Sequence, residues 1–144
     1  MSKQKITVIA LDLEGTLISN AVSQIPRPGL FSFLEYCQKN FDRIVIFTTV
    51  KEKYFRNIAT TLIEQNEVPS WFSKLEHIKW SGEYKNLSFV KDVNTNQVVL
   101  IDDREEYIHP HQKNQWLCIP GYDFPYSKSD CELEKVIEKL SKIN

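Results

Sequence analysis

Ile6-Thr7-Val8-Ile9-Ala10-Leu11-Asp12-Leu13-Glu14-Gly15-Thr16-Leu17 decides how this chain is read. An apolar, β-branched run over 5–11 stops abruptly in two carboxylates, a glycine and a threonine. A short run without polar alternation is the pattern of a strand buried on both faces, as in a parallel sheet. In open sheets of that kind, ligands bind beyond the carboxyl ends of the strands. The acidic tip of this strand is therefore expected to face a ligand crevice.

Three further runs repeat the pattern: RIVIFT at 43–48, QVVLI at 97–101 and the shorter 116–119. Helical spacing separates them. From Pro28 onward, Leu30, Phe33, Leu34 and Cys37 share a face, and between Lys51 and Gln65 so do Tyr54, Ile58 and Leu62. Residues 69–75 read as a short helix and Ile78–Tyr84 as an irregular strand broken at Ser81-Gly82. Ser129-Asp130-Cys131-Glu132 reads as a capping box for a last helix with Leu133, Val136, Ile137 and Leu140 inward. The expected fold is α/β: a Rossmann-like, mostly parallel sheet with helices on both faces, forming one domain over 1–144. Between Glu14 and Thr48 there is room for a loop and one helix, and none for a large cap domain.

The 144 residues suffice for one core. A net charge of −1 gives no bulk attraction to nucleic acid or an anionic membrane, and no segment approaches transmembrane length. Cys37, Cys118 and Cys131 are odd in number and lack a CxxC pair, which points to a reducing cytoplasm and to mostly buried thiols.

Four polar signals close or follow apolar runs: Asp12 with Glu14, Thr48 with Thr49, Lys91 in SFVKD, and Asp102-Asp103. Together they fit phosphoryl chemistry. An Asp can attack a phosphoryl group and form an aspartyl-phosphate. Two anions meet in that step, so a Mg²⁺ held by carboxylates and a lysine are expected to neutralise charge. A threonine hydroxyl can hold phosphoryl oxygens, and Gly15 would let the backbone approach them. A carboxylate two residues after the nucleophile can protonate the leaving oxygen and then activate water.

These words resemble the haloacid dehalogenase superfamily of aspartate-nucleophile phosphatases. More narrowly they resemble its NLI-interacting-factor-like branch, which includes the RNA polymerase II C-terminal-domain small phosphatases. DLEGTL is similar to DLDETL, RPGLFSFLEY to RPxxxxFL, IVIFTTVKEKY to FTAS and a following KY, and SFVKDV to YVKDL. VVLIDDREEYIHPHQKN is similar to the fourth-motif strand with its DD or DN pair, and SDCELEKVIEKL to the start of the last helix. The resemblance implies Asp12 as nucleophile and metal ligand. It implies Glu14 as acid/base with its backbone carbonyl on the metal. Thr48 and Lys91 would be phosphate-binding, Asp103 a metal ligand, and Asp102 a support for the metal shell or for Lys91. Thr16 would brace the loop, and Thr49 would serve as a helix N-cap. The implied substrate is a phosphoserine or phosphothreonine protein, or another phosphate ester that an open site admits.

Glu14 departs from the usual Asp, and one extra methylene moves the acid by about 1 Å, a displacement that can cost about 100-fold in rate. Three readings follow: a working acid at an adjusted position, a slow enzyme with a long-lived intermediate, or an inactive phosphopeptide-binding module. A receiver domain would carry its acidic pair, phosphorylated Asp, Thr and Lys in another chain order. Nucleic-acid end processing is disfavoured by the near-neutral charge. His109-Pro110-His111 reads as a polar loop. Trp71, Phe72, Trp80 and Tyr84 fit either core or a substrate groove, and Arg27 either the site or the surface.

Overall fold

The computed structural model describes residues 5–144. Its strands are β1 (Val8–Leu11), β2 (Arg43–Ile46), β3 (Glu76–His77), β4 (Val98–Asp102) and β5 (Trp116–Cys118). They form one sheet in the order β3-β2-β1-β4-β5, and every pair is parallel. The α-helices are α1 (Leu30–Asn40), α2 (Glu52–Glu64) and α3 (Glu132–Leu140). β1 is central, which explains its unbroken apolar run: all four of its residues are buried.

The period-two geometry of the strands divides the core in two. Ile9, Leu11, Ile46 and Ile101 point to one face, where they meet Phe33 and Cys37 of α1, Phe55 and Leu62 of α2, and Leu133 and Val136 of α3. Val8, Ala10, Val45 and Leu100 point to the other, under Leu87, Val90 and Ile108. The α/β class and parallel sheet are as expected, but all three α-helices pack on the first face. Short 3-10 turns and loops cover the second, including Leu87–Phe89 and Glu105–Tyr107. The covering segments are punctuated by Ser81-Gly82, Asn86, Asp92 and Pro110, which favour turns over a continuous helix.

Three local expectations are corrected. The strand expected over 78–84 is only Glu76–His77, extended by the Ile78 N–H donating to the Ile46 carbonyl. The capping box of α3 does not form. Its N-cap is Cys131, Ser129 pairs with the Ser127 hydroxyl, and Asp130 accepts from the Glu132 N–H. Of the cysteines only Cys37 is buried, where burial pushes its thiol up. Cys118 lies on the sheet edge and Cys131 at a helix start, both exposed. Among the described residues no helix is long and apolar enough to cross a membrane.

Candidate active site

The strand order reverses direction at β1, and the crevice of such a sheet lies there, beyond the carboxyl ends of β1 and β4. Leu11 is in register with Ile101 of β4 and Ile46 of β2. Asp12 therefore emerges beside Asp102, and its N–H donates to the Ile101 carbonyl at 3.0 Å. Asp12, Asp102 and Asp103 each offer a carboxylate oxygen, all within 4.8 Å of one another. Asp102 is fully buried and Asp12 nearly so.

The charge facing this triad is Lys85, which the sequence reading did not select. Its ammonium donates to Asp12 Oδ1 at 2.9 Å and to Asp102 Oδ2, and it lies 5.2 Å from the Tyr107 ring centre. The Lys85 side chain is only 1% exposed. Its N–H donates to the Tyr107 carbonyl at 2.7 Å, so its backbone is fixed as well. Lys91, the expected lysine, is exposed, and its carbonyl accepts from Arg43, the first residue of β2. That places it toward the opposite end of the sheet. Between the two lysines, the turn Leu87–Phe89 buries Leu87 and then Val90 and carries the chain away from the crevice. The one local mark beside Lys85 is the turn former Asn86, which does not by itself say that the lysine is buried. Asn86 Oδ1 accepts from the Ser88 N–H, a side-chain cap that starts the turn immediately after the lysine.

Electrostatics follow from this burial. Desolvation pushes the Asp12 carboxyl well above the usual range; Lys85 opposes this and Asp102 reinforces it. Asp102 is raised by burial, again against Lys85. Burial works to lower Lys85, but Asp12 and Asp102 outweigh it and the ammonium is held above its ordinary value.

The loop after Asp12 is braced from several sides. The Thr16 hydroxyl lies 2.9 Å from Asp12 Oδ2 and 3.2 Å from Asp103 Oδ1, so one hydroxyl serves both carboxylates. Arg27, 1% exposed, reaches the Gly15, Thr16 and Pro120 carbonyls and pairs with both oxygens of Asp130. It neither faces the crevice nor lies on the surface. Gly15 was expected to bind phosphate through its backbone. Its N–H instead donates to the Ile18 and Ser19 carbonyls, and its own carbonyl accepts from Tyr122 and Arg27. Its φ is +77°, and a Cβ there would overlap the Asp103 carboxylate. Gly15 shapes the loop and makes room for Asp103.

Glu14 borders the crevice, and its Oε2 accepts from the Ala21 N–H at 2.6 Å. The additional methylene reaches that neighbouring loop. Thr48 is buried just past β2, and its hydroxyl accepts from the Val50 N–H at 3.1 Å, leaving its own proton to donate. Thr49 is exposed at the crevice and is not the N-cap of α2, which is Lys51. Trp80 donates to the Thr48 carbonyl at 2.8 Å, Phe72 is core, and Tyr84 stacks edgewise on His109.

The crevice has a volume of about 320 Å³ and is bordered by Asp12, Glu14, Thr49, Asp103, Arg104 and Asp123. Its donor set is oxygen only, as a hard divalent cation requires. Asp102 is fully buried and does not border the crevice, and its oxygens accept from Lys85 and the Arg104 N–H, so it backs the site. Asp12 and Asp103 border the crevice and are the carboxylates placed to hold a cation. The glycines at 15 and 121 keep the space around Asp103 clear.

A parallel α/β sheet whose central strand ends gather three aspartates around a buried lysine defines the class. The chain belongs to the NLI interacting factor-like phosphatase family, whose sequence profile matches residues 7–144. No curated protein matches it.

Proposed function

We propose that the chain is a single-domain, Mg²⁺-dependent phosphatase that works through an aspartyl-phosphate on Asp12. The observation that carries this reading is the Lys85 ammonium joining Asp12 and Asp102 at the sheet end. It holds the nucleophile in place and opposes the desolvation that raises its carboxyl.

In the first step an Asp12 oxygen forms a bond to phosphorus as the ester P–O bond breaks. The electron pair stays on the leaving oxygen, which takes a proton from the Glu14 carboxyl. In the second, the Glu14 carboxylate takes a proton from water as that water bonds to phosphorus, and the Asp12–phosphorus bond breaks to release phosphate. Lys85 holds Asp12 and offsets its charge, with Asp102 orienting Lys85. The Thr48 hydroxyl donates to a phosphoryl oxygen. Asp12, Asp103 and the Glu14 carbonyl would hold Mg²⁺, which supplies charge neutralisation for the transferring group. Among the described residues no cap domain covers the crevice, which suits a phosphorylated side chain on a protein, phosphoserine or phosphothreonine. Three free cysteines agree with a reducing cytoplasmic setting.

A second reading rests on the Ala21 N–H. It holds Glu14 toward the neighbouring loop, which favours slow proton transfer and a persistent intermediate, and at the limit a phosphopeptide-binding module. One experiment separates these. Phosphate release from an aryl phosphate and from a phosphoserine peptide is followed with and without Mg²⁺, beside Asp12→Asn. Steady turnover lost in the variant and in chelator supports the phosphatase; a stoichiometric burst supports the slow enzyme. Turnover retained by Asp12→Asn refutes the mechanism.

A further inference from the structure

A second cavity, of about 370 Å³, lies beside the crevice and shares Thr49 with it. It is bordered by Thr48, Lys51, His77, Lys79, Trp80 and Gly82. The mechanism above uses only Thr48 among these. The two hollows differ in charge. The crevice is bordered by four carboxylates against one arginine, whereas the neighbouring cavity has two lysines and no carboxylate in its lining. Its wall is also built. Trp80 is pinned by its bond to the Thr48 carbonyl and by edge contacts with Phe47 and Tyr107. His77 is held by its Nε2 at 2.9 Å from the Val50 carbonyl.

From this we infer that the second cavity is a specificity subsite for an anionic group carried on the substrate chain next to the scissile phosphate. The inference rests on the phosphatase reading for the identity of the reacting group. A dianionic phosphate approaching Asp12 meets an acidic rim, and on that side Lys85 is buried and already engaged by two carboxylates. The exposed cation on the crevice side, Arg104, is paired with Glu106, whereas two exposed lysines, Lys51 and Lys79, lie across Thr49 in a lining without a carboxylate. An extended peptide entering over Thr49 places the group flanking its phosphorylated residue between those lysines, with its backbone against the Trp80 ring. Complementary rim charge of this kind selects among substrates and speeds encounter. Carboxylates and a second phosphate share the required chemistry.

The test uses four phosphoserine peptides of one length. Their flanks carry aspartates, lysines, a second phosphoserine, or neutral residues. In wild type, kcat/KM is expected to favour the aspartate or doubly phosphorylated peptide over the lysine peptide by about tenfold. In the double variant Lys51→Glu with Lys79→Glu that ratio is expected to collapse or invert. Because the readout is a ratio within one protein, general loss of activity does not move it. Preference for the second phosphate over aspartates identifies a multiply phosphorylated chain; the reverse identifies an acidic one. No flank preference in wild type, or a ratio unchanged in the double variant, overturns the subsite. If wild type turns over none of the peptides, the phosphatase reading fails by itself. The same peptides, fluorescently labelled, then report the subsite by anisotropy, where equal affinity for acidic and basic flanks overturns it.

Discussion

Replacing Lys85 by Met removes the ammonium but keeps much of the volume of its stem. Asp12 and Asp102 then remain buried without a cationic partner, holding only the Thr16 hydroxyl and the Arg104 N–H. Breaking a buried pair from one side costs about 3–5 kcal/mol, and two like charges at 4 Å repel by about 4 kcal/mol at an effective dielectric of 20. Protonation of one carboxylate relieves part of this, so the lower end, about 3 kcal/mol, is expected near neutral pH. For a chain of this size that is a fall in Tm of roughly 6–12 °C. The sign with pH is fixed by the raised Asp12 and Asp102 carboxyls. A carboxyl raised in the folded state costs stability above its unfolded value, and the cost is relieved as pH falls through the folded value. Lys85 is raised, so its stabilisation is complete below its ordinary value of 10.5 and is lost only in strong alkali. The deficit of Lys85→Met should therefore be larger at pH 8 than at pH 5. Urea unfolding at both values measures it, and turnover should fall by about 10²–10³-fold. Lys91→Met is the control, expected within about 0.5 kcal/mol of wild type with turnover intact. If Lys91→Met abolishes turnover, or Lys85→Met unfolds at the wild-type midpoint, the assignment of the lysine is refuted.

Other perturbations follow from the same geometry. Asp12→Asn removes one of three clustered charges and should raise Tm by a few degrees, about 1 kcal/mol, while abolishing turnover; a lowered Tm would contradict the electrostatic account. Glu14→Asp releases the acid from the Ala21 N–H and should speed breakdown of the intermediate by about 10-fold or more, read by rapid quench. A slower breakdown would mean that Glu14 is already well placed. Gly15→Ala forces a left-handed residue and pushes a methyl into Asp103. Calorimetric titration should show weakened Mg²⁺ binding, together with about 1–2 kcal/mol lost from stability. Arg27→Met leaves the Gly15, Thr16 and Pro120 carbonyls without their shared donor and Asp130 without its partner. A loss of about 3 kcal/mol is expected in urea unfolding, and an effect below 1 kcal/mol would deny the clamp its role.

What could be read from the sequence was whatever local pattern controls. The apolar run into Asp12 and the run into Asp102-Asp103 announced central parallel strands, and Asp12 and Asp103 border the crevice with Asp102 behind them. Lys85 was missed because its burial is a tertiary fact. It follows Glu83-Tyr84 rather than an apolar run, and only the packing of Leu87 and Val90 tells which of two lysines turns inward. Arg27 was ambiguous for the same reason, since its partner Asp130 lies 103 positions away. Helices on both faces were inferred from alternation. Alternation counts crossovers, but it does not say that each crossover is helical, and the segments over the second face are too interrupted by turn formers to be so. The capping box failed because the Ser129 hydroxyl pairs with Ser127 and the helix begins only after Cys131.

The bond between Arg27 and Asp130 also orders events in the life of the chain. β1 is made before either neighbour: β4 begins only at Val98, and the anchor of the Asp12 loop arrives at Asp130. A nascent chain that has reached β3 holds the nucleophile without Lys85, without the aspartate pair and without the clamp. The chemistry is withheld until synthesis has passed Asp130, so products that stop before it are expected to be inert.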